Sequence, residues 1–113
     1  MTELGYLVLY SLQPEIVRDF YVKLLKRPFS REKHGNGAEH WSCSLDNVVI
    51  EIYPTKKEAS RNSLGFFVDD LETALQDIDP VYILISPKQT DYGRATIIKD
   101  PEKRRVELIE KKW

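Results

Sequence analysis

The feature that most constrains the fold of this chain is an internal repeat. Tyr6–Ser11 reads as a strand followed by a helical pattern, and residues 63–68 are followed by a helical pattern in the same way. Each half then ends in an apolar strand that carries a glutamate, Glu51 or Glu107. The separation is 57 positions between the two starts, Tyr6 and Ser63, and 56 between the two glutamates. A nearly constant separation indicates a tandem pair of similar modules.

Each module is predicted to follow the order βαβββ. In the first, Val17, Phe20, Tyr21 and Leu24 recur at helical spacing after Pro14, which suits the first turn of a helix. The stretch 34–37 contains Asn-Gly and is typical of a turn. The predicted elements of module one are a first strand at 6–11, a helix at 14–26 and strands at 29–33, 39–45 and 48–53.

The second module repeats this order. Asp69 and Glu72 resemble a capping box, and the apolar residues from Leu71 to Ile78 form a helical stripe. Strands are predicted at 81–86, 94–99 and 105–110. We therefore predict an α+β fold in one domain over 1–113, with module one at 1–53, a polar connector at 54–62 and module two at 63–113.

Strand alternation assigns side chains to two faces of each sheet. Ile50 and Ile52 are expected to pack beneath a helix, which leaves Glu51 and Tyr53 on the opposite face. If the two modules curl together, aromatic rings with a few polar groups gather around one space, as is typical of a small-molecule pocket. The predicted ligand-binding residues are Tyr6, Tyr10, His40, Glu51, Tyr53, Phe67 and Glu107.

Composition excludes several other functions. A formal net charge of −1 gives no general attraction to nucleic acid or anionic lipid, and no apolar stretch is long enough for a membrane span. Cys43 is the one cysteine, so neither an internal disulfide nor a thiolate-rich metal site is expected, and packing is the favoured role of its side chain. Without a cleavable signal pattern, we predict a cytoplasmic protein.

Three stretches resemble the vicinal oxygen chelate superfamily, which includes glyoxalase I, extradiol dioxygenases, fosfomycin-resistance proteins and bleomycin-resistance proteins. They are residues 4–9 together with Phe20-Tyr21, residues 64–72, and residues 92–110, where an Asp100-Pro101 turn precedes the strand of Glu107. The resemblance implies a curved mixed sheet around a concave cup, with the helices outside. It also implies a homodimer.

In metal-using members of that superfamily, His or Glu ligands come from the first and fourth strand of each module. The matching positions here are Tyr6, Glu51, Ser63 and Glu107, so two carboxylates are present and both His positions are lost. Two carboxylates with neutral hydroxyls make a weak metal site. We therefore expect no cofactor; if a divalent metal binds, its ligands are Glu51 and Glu107, with His40 a less favoured addition.

Three functions remain open. The favoured one is a non-catalytic protein that binds an aromatic or cationic small molecule in a metal-free cup, as in the bleomycin-resistance branch. The first alternative is a metal-dependent lyase, isomerase or dioxygenase that uses Glu51 and Glu107; because both His positions are lost, we lean against an enzyme. The second alternative is a structural or regulatory homodimer. Glu51 and Glu107 are as consistent with relics of the fold as with ligand-binding groups.

Overall fold

The computed structural model describes residues 1–58 and 62–111, and the described chain is α+β. Two compact units are built mainly from residues 1–60 and 61–113. The first contains β1 (Tyr6–Ser11), α1 (Pro14–Leu25), β2 (Ser30–Glu32), β3 (His40–Ser44) and β4 (Val49–Pro54). The second contains β5 (Leu64–Val68), α2 (Leu71–Leu75), a 3-10 turn (Pro80–Tyr82), β6 (Ile83–Thr90), β7 (Gly93–Lys99) and β8 (Arg105–Glu110). The predicted βαβββ order is confirmed in both units.

Each unit has a four-stranded mixed sheet, and the two sheets have equivalent topology. Their strand orders are β1-β4-β3-β2 and β5-β8-β7-β6. The first strand pairs parallel with the last, β1 with β4 and β5 with β8, whereas the remaining pairs are antiparallel. Parallel pairing requires a crossover connection, which the helix of each module supplies.

The predicted faces of the first sheet are confirmed. Leu9, Ile50 and Ile52 are at most 2% exposed, and the parallel register pairs Leu9 with Ile52. The guanidinium of Arg18 on α1 lies 4.3 Å from the ring centroid of Trp41, so the helix covers the face to which Trp41 belongs. Burial of each such aliphatic side chain contributes about 1.5–3 kcal/mol. Glu51 and Tyr53 belong to the opposite face of this sheet.

The start of α2 differs from its prediction. Asp70, and not Asp69, is the N-cap: its backbone is extended, with φ −150° and ψ 122°, and its carboxylate accepts the Thr73 N–H at 3.0 Å. Glu72 does not close a capping box, because its carboxylate pairs with Arg94 at 2.9 Å. The helix ends at Leu75, earlier than the apolar stripe suggested.

The predicted strand at 81–86 is also displaced. Asp79 accepts the Val81 N–H at 3.0 Å and caps the 3-10 turn, so β6 begins only at Ile83. The strand then passes through Pro87 with register shifts against β7. β6 is an edge strand, where a missing N–H is tolerated.

The connector prediction lies partly outside the described residues, since 59–61 are not among them. In the described part of the chain, no helix combines the length and the hydropathy needed to cross a membrane.

Candidate functional site

The candidate site lies on the open face of the first sheet, opposite the buried face. Because side chains alternate along a strand, every second residue of β1, β3 and β4 projects to this side. The strand registers place Ser42 beside Glu51 and Tyr10 beside Tyr53. The residues of this face are Tyr6, Val8, Tyr10, His40, Ser42, Ser44, Val49, Glu51 and Tyr53.

His40 is the centre of the polar contacts. Its Nδ1 lies 3.1 Å from the carbonyl oxygen of Ala38, and its Nε2 lies 3.1 Å from Oε2 of Glu51. The side chains of His40 and Glu51 are 1% and 14% exposed, so the pair is largely withdrawn from water. The Tyr53 hydroxyl is 3.4 Å from the same Nε2. Hydrogen bonds and packing therefore fix the position of the imidazole.

Tyrosine rings extend this cluster along the sheet. The Tyr53 ring stacks on His40 at a centroid distance of 4.1 Å and an interplanar angle of 9°, and Tyr10 lies 6.2 Å from Tyr53. Burial raises the pKa of the Tyr53 phenol, and the Glu51 carboxylate raises it further. Tyr53 therefore remains a neutral hydroxyl at physiological pH, able to donate a hydrogen bond.

A groove of about 420 Å³ opens on this face. Glu32 and Glu51 supply two carboxylates, while Tyr6, Ser42 and Ser44 supply hydroxyl groups. Gly5 and Val49 also line it. Among the described residues no lysine or arginine belongs to this lining, and the two carboxylates favour a cationic or hydrogen-bonding ligand.

The remaining predicted site residues, Phe67 and Glu107, lie in the second unit. The β5–β8 register pairs Gly65 with Glu107 and Phe67 with Ile109, which places Phe67 and Glu107 on one face of their sheet. Phe67 is 70% exposed. That residues of both units surround one space remains a prediction.

At the four positions that the family resemblance matches to metal ligands, two residues are carboxylates, Glu51 and Glu107, and two offer only hydroxyl groups. Tyr6 is 64% exposed and offers a neutral phenol, and Ser63 offers a neutral hydroxyl. Glu51, at a third position, is paired with His40 at 3.1 Å. Neutral hydroxyls are poor ligands for Zn²⁺ or Fe²⁺, which bind imidazole, carboxylate or thiolate groups.

The structure also assembles two groups that the sequence did not indicate. Glu32, His34 and His40 each place one potential ligand atom within 4.8 Å of those of the other two. The β2–β3 register pairs Glu32 with His40, and the glycine turn at 35–37 brings His34 back beside them. In the sequence, this turn was the signal that could have indicated the cluster, because a tight turn between two strands brings their end residues together.

The second group consists of three carboxylates, two of which pair with one arginine. Asp70, Glu72 and Glu110 converge in the second unit. Arg94 donates to Glu72 at 2.9 Å and to Glu110 at 3.2 Å, while Glu110 accepts the Leu71 N–H at 2.9 Å. Hydrogen bonds lower the pKa of Asp70 and Glu72, those from Thr73 and Arg94 respectively being the largest cause. This group stabilises the start of α2.

Cys43 faces the buried side, as predicted, and is 2% exposed. Burial raises the pKa of its thiol, with Arg27 acting in the opposite direction. A buried thiol with a raised pKa is a poor nucleophile.

Comparison with known proteins gives structural relatives only. No family model and no curated protein matches the sequence. The oxidase ChaP-H1 is similar with a TM-score of 0.80 and 14% identity, over 99% of this chain and 98% of that one. TnmS3, an antibiotic binding protein from Streptomyces sp. CB03234, is similar with a TM-score of 0.78 and 14% identity over the same shares. TioX from Micromonospora sp. ML1 has a TM-score of 0.72 and 12% identity, over 95% of this chain and 97% of TioX. At these identities the likeness shows that the chain shares the fold of these proteins.

Proposed function

We propose that this chain is a non-catalytic binding protein of the vicinal oxygen chelate type, which holds an aromatic, cationic small molecule on the open face of module one. The observation that carries the proposal is the groove that Glu32, Glu51 and Tyr6 all line. The shared fold with TnmS3, described as an antibiotic binding protein, supports the same class of function.

The carboxylates select the charge of the ligand. The Glu51 side chain is only 14% exposed, so water screens its charge less than it screens a surface carboxylate. A cationic group in the groove recovers part of the cost of holding this carboxylate away from water. An anionic ligand meets repulsion from both Glu32 and Glu51.

The tyrosines select an aromatic ligand. Tyr6 and Tyr10 are 64% and 53% exposed, although both have large rings. They are on the same face of β1, four residues apart, which separates them by about 13 Å. Exposed phenol rings stack on flat ligands and attract cations through their faces. Binding by stacking and charge needs no bound metal.

The arrangement favours binding over catalysis. The imidazole of His40 is 1% exposed and stacked on Tyr53, so its nitrogens serve Ala38, Glu51 and Tyr53. Cys43, the one thiol of the sequence, belongs to the opposite face. The metal-dependent enzyme and the homodimer remain alternative predictions, which elemental analysis and sedimentation would test.

Calorimetric titration with two probes of similar shape tests the proposal. We expect 9-aminoacridine, a planar cation, to bind, and acridine-9-carboxylate, a planar anion, to bind at least about tenfold more weakly, which corresponds to about 1.4 kcal/mol. Raising the salt concentration should weaken binding of the cation.

Matched variants locate the binding face. Glu51→Gln and Tyr6→Ala should each weaken 9-aminoacridine binding about tenfold, by loss of charge and of stacking respectively. Tyr92→Ala is the control, because Tyr92 is 84% exposed and belongs to the second unit. Equal affinity for both probes, or equal effects of Tyr6→Ala and Tyr92→Ala, would contradict the proposal.

A further inference from the structure

We propose that the β2–β3 hairpin of module one binds one divalent transition-metal ion through Glu32, His34 and His40. A carboxylate oxygen of Glu32 and one ring nitrogen of each histidine all lie within 4.8 Å of one another. Oε2 of Glu32 is 3.8 Å from Nε2 of His34, and the two imidazole rings are 5.1 Å apart. Two imidazoles and a carboxylate therefore converge on one small volume.

These distances are close to those of a loaded site. Nitrogen and oxygen ligands sit about 2.0–2.2 Å from Zn²⁺, so two ligands at a tetrahedral angle are about 3.5 Å apart. The observed separations require the ligands to approach one another by up to about 1.3 Å. The side chains of His34 and Glu32 are 67% and 38% exposed, which leaves them room to rotate.

The backbone of the hairpin is built to bring these side chains together. Gly35 adopts a φ of +56°, a left-handed conformation that glycine tolerates. The Gly37 N–H donates to the His34 carbonyl at 2.9 Å and closes the turn. A Cβ at position 37 would lie 3.0 Å from that carbonyl oxygen, so a larger residue there would disturb the turn. Both glycines therefore help hold His34 over the Glu32–His40 pair.

His40 has the tautomer that a ligand needs. The Ala38 carbonyl can only accept, so in the neutral ring Nδ1 donates its proton there and the lone pair is on Nε2. A backbone carbonyl bound to the other nitrogen is the usual support of a metal-binding histidine. The Tyr53 hydroxyl, 3.4 Å from Nε2, is a donor to the same lone pair, so a metal on this nitrogen takes the place of that hydrogen bond and faces the Glu51 carboxylate at 3.1 Å.

The ligand set selects the metal. Imidazole nitrogens favour Zn²⁺, Ni²⁺ or Cu²⁺ over Mg²⁺ and Ca²⁺, which prefer oxygen ligands. Three protein ligands leave at least one position for water. None of the three residues occupies a superfamily metal position, which here hold Tyr6, Glu51, Ser63 and Glu107. The site is thus separate from the one that the family resemblance implies.

The metal site does not require the proposed ligand-binding function, but both involve Glu32. This carboxylate also lines the groove, so a bound divalent cation more than offsets its negative charge at the groove wall. Metal loading should therefore weaken 9-aminoacridine binding, if that binding occurs.

Calorimetry on untagged protein that has been freed of metal tests the site directly. We expect one Zn²⁺ per chain, no competition from Mg²⁺, and a Co²⁺ complex whose visible absorption reports nitrogen and oxygen ligands. His34→Ala should lower Zn²⁺ affinity at least about tenfold, since loss of even a supporting group around a metal has an effect of about 10- to 100-fold. His34 is in an exposed turn, so this variant should retain the fold, which circular dichroism will check.

Glu39→Ala is the matched control. Glu39 is an exposed carboxylate of the same hairpin, paired with Arg31 at 3.7 Å, and it is absent from the ligand cluster. Its replacement should leave Zn²⁺ affinity within about twofold of wild type. Absence of binding at about 1 mM Zn²⁺, or equal binding by wild type and His34→Ala, would overturn the proposal. Loss of Zn²⁺ on Glu107→Gln but not on His34→Ala would place the ion at the superfamily positions instead.

Discussion

Nε2 of His40 lies 3.1 Å from Oε2 of Glu51 on the neighbouring strand. Nδ1 of the same ring contacts the Ala38 carbonyl, so when Glu51 is a carboxylate both contacts are hydrogen bonds only if both ring nitrogens carry a proton. In the neutral ring, the Tyr53 hydroxyl at 3.4 Å is the donor available to Nε2. His40 therefore has a partner for each nitrogen in either charge state, which explains how an imidazole can be almost fully buried here.

Replacement of His40 should destabilise module one. In His40→Ala, the largely buried Glu51 carboxylate loses its partner and the Tyr53 ring loses its stacking surface. We expect the free energy of unfolding to fall by about 1–3 kcal/mol, measured by urea denaturation in the presence of chelator. His34→Ala, at a side chain that is 67% exposed, should change it by no more than about 0.5 kcal/mol. Equal stabilities of the two variants would contradict this role for His40.

In module two, a buried ion pair should contribute more to the free energy of unfolding than His40 does in module one. Arg104 and Asp100 are 2% and 1% exposed, and their charged groups are 2.9 Å apart. Asp100 also accepts the N–H groups of Glu102 and Arg104, at 2.8 and 3.0 Å. Asp100→Ala leaves the Arg104 charge buried without this partner, so we expect a loss of about 3–5 kcal/mol in denaturant titrations.

Arg105→Ala provides the comparison for that measurement. Arg105 is the next residue along the chain and is exposed, so its truncation should have an effect within about 0.5 kcal/mol. A loss below about 1 kcal/mol for Asp100→Ala would show that the pair contributes little.

The sequence predicted what depends on local periodicity. Alternation along 48–53 assigned Glu51 to the face opposite Ile50 and Ile52 because a strand has a fixed period of two. The repeat separation likewise predicted two modules, since equivalent landmarks must recur at equal distances. The order of elements alone does not determine the strand order β1-β4-β3-β2, which the structure supplies.

Contacts between side chains on separate elements were not predictable in this way. Asp69 and Asp70 are equivalent as cap residues in the sequence, and the partner that removes Glu72 from a capping box is Arg94, on β7. Similarly, the sequence around Glu32 is typical of a strand end, and that around His34 is typical of a surface turn. Their proximity to His40 depends on the closure of the glycine turn. The spacing of apolar residues carries no information about that closure.

Asp70 should make module two sensitive to acid. Hydrogen bonds from Thr73 hold the pKa of this carboxyl below its ordinary value. A lowered pKa in the folded state means that the stabilisation is present above the unfolded-state pKa, near 4, and is lost as the pH falls through the folded-state value. Asp70→Asn does not titrate, so its unfolding free energy should fall less than that of wild type between about pH 5 and pH 2.5. Parallel urea titrations of the two proteins measure the difference. Identical slopes of unfolding free energy against pH would contradict this role for the Asp70 carboxylate.

Cys43 should react slowly with thiol reagents in the native protein. It is 2% exposed, and burial raises the pKa of its thiol, so little thiolate is available for attack. Labelling with a chromogenic disulfide at pH 8 should require local or global opening, and should accelerate in urea below the unfolding midpoint. A Thr2→Cys substitution in a Cys43→Ala background supplies an exposed thiol for comparison. We expect this thiol to react roughly 100-fold faster than Cys43, whereas similar rates would show that Cys43 is accessible without opening of the sheet.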